Sequence, residues 1–156
     1  MDIPQGNLVT CTLLENGIYV IAFKDTLRVA IDEYFDCLNW IFAGQGSDGP
    51  TIRILTDTTQ ASELPIMYVM QQTKGFLGKY PHRPRNRVAT LCNDGIIPDL
   101  IANMLDVLQL DTRRNAVCSF QAKELDQAIV WLLEDHYPRN WYRSKSGFQA
   151  SSPTIT

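Results

Sequence analysis

Seven consecutive residues, Asp57-Thr58-Thr59-Gln60-Ala61-Ser62-Glu63, bring together two carboxylates and three hydroxyls. They join the end of an apolar, strand-like run to the start of a helical pattern, where open α/β sheets place their sites. Bare amides and the positive end of the helix dipole favour anions there. A phosphate on Ser62 would add roughly −1.5 to −2 charge. Asp57, Thr58, Thr59 and Ser62 are therefore a candidate binding surface with a phospho-switch. The same residues also read as a plain cap, with Ser62 or Thr59 bonding the first helical amides. A second set is basic: Lys79, Arg83, Arg85 and Arg87 share one loop, and the three arginines are candidates for holding an anion. A third set is soft and apolar. Met67, Tyr68, Met70 and Phe76 are candidates for the wall of an adaptable ligand pocket, or else ordinary core.

Catalytic patterns are missing. Gly44-Gln45-Gly46-Ser47-Asp48-Gly49 matches the dinucleotide fingerprint letter for letter. That fingerprint works only between a strand and a helix, whereas these glycines follow a helix and precede a strand. His82 sits between Pro81 and Arg83 with no neighbouring acid to orient it as a base. Cys11, Cys37, Cys92 and Cys118 form no C-x-x-C pair and read as reduced, buried packing residues. With His82 and His136 isolated, no metal-ligand cluster emerges. The sequence predicts a binding protein without enzyme activity, metal or cofactor.

The chain has 156 residues, 45% of them apolar and 20% charged, which suits one soluble domain. No 18-residue apolar run occurs, so no membrane span is expected. MDIPQGN lacks the basic end and apolar stretch of a signal peptide, which points to the cytoplasm. Net charge is −3 from 14 basic and 17 acidic residues. Three basic residues and no acid lie from His136 onward, leaving 11 against 17, a net −6, for the body. Arg139, Trp141, Tyr142 and Arg143 could contact nucleic acid, but the acidic balance argues against it.

Periodicity supplies the elements that must hold these groups. Leu8 to Leu14 alternates like a half-buried strand, Asn16-Gly17 marks a hairpin, and Ile18 to Phe23 reads as its partner. Asp25 or Thr26 should cap a helix whose inward stripe is Leu27, Ala30, Ile31, Tyr34, Phe35, Leu38, Ile41 and Phe42. Gly44 should stop it. Further strands are expected at Thr51 to Thr56, Val88 to Cys92 and Ala116 to Phe120. Helices are expected from Leu64 to Lys79, from Pro98 to Leu108 and from Lys123 to Asp135. The last should turn Leu125, Ala128, Ile129 and Leu132 inward. Val20, Ile21, Phe23, Ile54, Val88, Leu91 and Val117 should be buried strand positions. This order predicts an α/β domain over residues 1–135: a five-stranded, mostly parallel mixed sheet with an N-terminal β-hairpin and about four helices. Residues 136–156 should form a polar, basic, flexible tail.

The hairpin, the strand Ile52-Arg53-Ile54-Leu55-Thr56-Asp57 ending in an acid and the strand Val88-Ala89-Thr90-Leu91-Cys92 resemble STAS domains. The likeness is to the SpoIIAA-like branch, whose ending is matched by Ala116-Val117-Cys118-Ser119-Phe120 and Glu124-Leu125-Asp126-Gln127-Ala128-Ile129-Val130-Trp131-Leu132. It spans residues 8 to 135. The resemblance implies a small non-enzymatic regulatory or sensory domain that binds a protein partner, or a carrier of a small lipid-like ligand. Antagonists of this kind carry a phosphorylated serine within Asp-Ser-Ser-Gly. Here Gln60-Ala61-Ser62-Glu63 offers Ser62 without the glycine. A homodimer is left open.

Overall fold

The computed structural model describes residues 3–25, 27–61, 63–93, 108 and 114–135. Two strands open the chain, β1 (Val9–Leu13) and β2 (Ile18–Phe23), followed by helix α1 (Arg28–Phe42) and strand β3 (Ile52–Asp57). Helix α2 (Ile66–Lys79), strands β4 (Asn86–Cys92) and β5 (Asn115–Gln121), and helix α3 (Leu125–Leu133) complete it, with one 3₁₀ turn, Ala122–Glu124, before α3. The strands lie in sequence order, β1-β2-β3-β4-β5. β1 pairs antiparallel with β2, and every later pair is parallel. The expected mixed sheet, with its hairpin strand on one edge, is therefore present. Three α-helices stand among the described residues against about four expected. The helix predicted over 98–108 falls outside them apart from Leu108, and so do Ser62 and the predicted tail, 136–156. Among the described residues no helix is long and apolar enough to cross a membrane.

Alternation along each strand divides the core in two. One face carries Val9, Cys11, Ile21, Phe23, Ile52 and Ile54 beneath α1, whose Ala30, Ile31, Phe35, Leu38, Ile41 and Phe42 are buried as their spacing requires. The other carries Leu55, Ala89, Leu91, Ala116, Cys118 and Phe120 beneath Ala128, Trp131 and Leu132 of α3. All four cysteines are buried and none is in a disulfide. The Cys37 thiol donates to the Cys11 sulfur, and that hydrogen bond, with burial, pushes the Cys37 pKa upward; the same bond pushes the Cys11 pKa downward.

Several local expectations are corrected. α1 starts at Arg28 behind Leu27, which offers no side-chain cap and is exposed, so Asp25 is not its N-cap; Thr26 lies outside the described residues. α2 starts at Ile66 and not at Leu64, because Leu64 precedes Pro65 and a residue before proline is pushed out of helical geometry. β4 begins two residues early, at Asn86. The hairpin turn spans Glu15 to Gly17: Gly17 N–H donates to Leu14 O, and its φ of +85° suits glycine. Ile21, Phe23, Ile54 and Leu91 are buried as expected, whereas Val20, Val88 and Val117 are only half-buried. In α3, Leu125 is exposed and Trp131 takes the inward place.

One tie has no sequence signature. The Glu33 carboxylate of α1 accepts N–H bonds from Asn7, Leu8 and Val9 at 3.1, 2.8 and 2.9 Å, seating the segment that leads into β1. Gly6 leaves room beside it, since a Cβ there would meet the Glu33 carboxylate and push it aside. Glu33→Ala leaves three amides without that acceptor and is expected to cost about 1–3 kcal/mol in urea unfolding. Glu33→Gln should recover part of this, and an unchanged midpoint for the alanine variant would refute the tie.

Candidate functional site: a cavity between the sheet and two helices

The register of the parallel strands lays out three rows on the α1 side of the sheet. Ile54, Val88 and Val117 are mutual partners across β3, β4 and β5. Two residues toward the strand starts lie Asn86 and Asn115; two residues toward the strand ends lie Thr56 and Thr90. An apolar strip is thus flanked by amides on one side and hydroxyls on the other. A cavity of about 180 Å³ stands on this floor. Ile31, Tyr34, Phe35, Leu38 and Phe42 of α1 form one wall, and Val69, Thr73, Phe76 and Leu77 of α2 another. Val88 and Val117 are half-buried because this space lies above them.

α2 closes the cavity without sinking into the core. None of its residues is fully buried, although Phe76 meets Phe35, Phe42 and Tyr80 at ring-centroid distances of 6.1, 5.2 and 5.0 Å. Most hydroxyls in the walls already have partners. Thr73 donates to its own helix at Val69 O (2.7 Å), Thr58 donates to Leu91 O (2.8 Å), and Tyr34 and Thr56 bond to each other at 3.2 Å. Burial pushes the Tyr34 pKa above its ordinary value, which keeps the hydroxyl protonated and the wall neutral. Arg83 is the single charged side chain among the described lining residues. Its Nε donates to Asn115 Oδ1 (3.0 Å) and its Nη1 to Tyr80 O (3.0 Å). Asn86 Nδ2 shares the same Asn115 oxygen at 3.0 Å.

The sequence-derived candidates separate in space. Of Met67, Tyr68, Met70 and Phe76, only Phe76 lines the cavity. Met67 is 77% exposed, and Tyr68 donates its hydroxyl to Asp32 beneath the Arg28 guanidinium. Val69, Thr73 and Leu77 replace them, spaced four residues apart along one helix face, with Phe76 three residues on from Thr73. Arg83, Arg85 and Arg87 do not form one anion site. Arg83 lines the cavity, Arg85 is exposed, and Arg87 is fully buried on the opposite face of β4 against Trp131.

The loop after β3 is bound to itself. Asp57 Oδ1 accepts from the Thr59 amide (2.9 Å) and hydroxyl (2.6 Å), an Asx-type turn. Ala61 N–H donates to Thr58 O, and Asn93 Nδ2 to Thr59 O. Thr58 is buried and touches the cavity, while Asp57 and Thr59 form the turn that holds it there. Asn86, Asn115 and Glu33 escaped the sequence reading; the asparagines open strands and carry no charge to flag them. Among the described residues no three of His, Cys, Asp and Glu gather as a metal site would require.

Fold and cavity together define an α/β sheet protein with a small apolar chamber under one helical layer. No family model, no curated protein and no solved structure matches the chain.

Proposed function

We propose that this chain is a non-enzymatic cytoplasmic domain of the STAS, SpoIIAA-like type that takes up a small apolar ligand between its sheet and helices α1 and α2. One observation carries the reading: the apolar cavity over Ile54, Val88 and Val117, walled by rings and aliphatic side chains whose neighbouring hydroxyls are already bonded. Apolar cavities stay dry and accept small apolar guests. A few polar groups at their ends fix orientation. α2, with no fully buried residue, is the element best suited to shift when a guest enters.

Recognition of a protein partner through Asp57, Thr58, Thr59 and Ser62, with Ser62 as a phospho-switch, is the reading the described geometry supports less. Thr58 is buried and the Asp57 carboxylate is engaged by Thr59. Native mass spectrometry of freshly purified protein tests the carrier reading. A population heavier by one small organic molecule, lost on denaturation, is the expected result. Bare protein that also shows no binding of added octanol would refute it.

A further inference from the structure

Arg83 is an unusual wall for an apolar chamber. Its hydrogen-bond partners are neutral, an asparagine oxygen and a backbone carbonyl, and no carboxylate pairs with it among the described residues. A guanidinium has five N–H donors in a planar fork. Two are engaged here, and Nη2 has no acceptor among the described residues. Arg114 adds to the positive field, with Nη2 donating to Ser47 O at 2.8 Å and to Arg83 O at 3.4 Å. Burial, then the Arg114 charge, push the Arg83 pKa down, and among the described residues no carboxylate offsets that charge. Asn86 and Asn115 brace the fork, since one Asn115 oxygen accepts from both Arg83 and Asn86.

We propose that the ligand is an amphipathic monoanion, a short-chain carboxylate, whose head pairs with Arg83 at the start of β4 and β5 and whose tail lies over Ile54, Val88 and Val117. This rests on the carrier reading above and names its ligand class. Arginine matches a carboxylate through two parallel N–H bonds, and the fork geometry selects for such a head. The cavity limits the tail. At ~30 Å³ per water-sized group, 180 Å³ holds roughly six such groups, which sets a tail of about six carbons beyond the head.

Octanoate and octanol, titrated calorimetrically into the full chain at neutral pH, separate head from tail. Octanoate is expected to bind at least about tenfold more tightly than octanol. Arg83→Met should abolish that preference while leaving octanol binding in place, and Arg83→Lys should keep part of it by retaining the charge. Equal binding of the two probes by the wild-type chain overturns the head assignment and leaves the apolar carrier standing. A preference that survives in folded Arg83→Met does the same. If neither probe binds the folded wild-type chain, both the assignment and the carrier reading fall. The wild-type ratio decides the first point by itself, so the test survives a variant that does not fold.

Discussion

Arg87→Ala is expected to destabilise the fold by about 3–5 kcal/mol, the largest loss from any single charged residue described. Arg87 is fully buried in β4, with its guanidinium 4.1 Å from the centre of the Trp131 ring and Nη2 3.5 Å from Glu134 Oε2. Its register partner on β3 is Arg53, whose Nε donates to Leu132 O at 2.7 Å and whose Nη2 meets Asp135 at 3.0 Å. Two adjacent guanidiniums thus sit at the C-terminal end of α3, where cations are favoured by the dipole and by unpaired carbonyls. The ion pairs themselves are the smaller part. Asp135 is 95% exposed, so Asp135→Asn should change stability by no more than about 0.5 kcal/mol. Glu134 is also partly solvated, which leaves the packing of Arg87 against Trp131 as the main loss. Arg87→Met, which keeps most of that volume, should cost less than half as much as the alanine variant. Urea midpoints decide the matter, and an Arg87→Ala protein within about 1 kcal/mol of wild type would refute the role.

That arginine also shows where sequence reading stops. Arg87 belongs to a basic run that looks like a solvated loop, yet Arg87, Ala89 and Leu91 share one strand face, and that face lies under α3. The expected strand, Val88 to Cys92, contains Ala89 and Leu91; starting β4 two residues earlier carries Arg87 inward with them. The stripe of α1 and the succession of strands and helices along the chain are legible because amphipathic period and burial coincide there, whereas the order of strands within the sheet is not. On α2 period and burial do not coincide. Residue type favoured Met67 and Met70, whereas the wall is set by geometry. Three residues before Phe76 lies Thr73 and four before that Val69, with Thr73 concealed by its polar name. The cavity had no local signature at all. Arg83 and Asn115 are 32 residues apart and meet only because β4 and β5 pair in parallel from Asn86 and Asn115 onward.

Val88→Phe is expected to remove octanol binding by more than tenfold while leaving the fold intact. Val88 is the middle residue of the floor row, and its side chain faces the cavity. Adding a ring to a filled interior forces off-rotamer neighbours and costs about 1–3 kcal/mol. Here the ring enters existing space, so the cost should stay below about 1 kcal/mol, and a gain is consistent with cavity filling. The neighbouring residue supplies the control. Ala89 points to the other side of the same strand, is fully buried under α3, and does not line this cavity. Ala89→Leu should therefore cost about 1–3 kcal/mol and leave octanol binding unchanged, provided the variant is measured while folded. The two substitutions reverse each other's pattern only if the chamber over Val88 is both empty and the place where the guest sits. A Val88→Phe protein that binds octanol like wild type would place the guest elsewhere, and one destabilised as much as Ala89→Leu would mean that the space above Val88 is already filled.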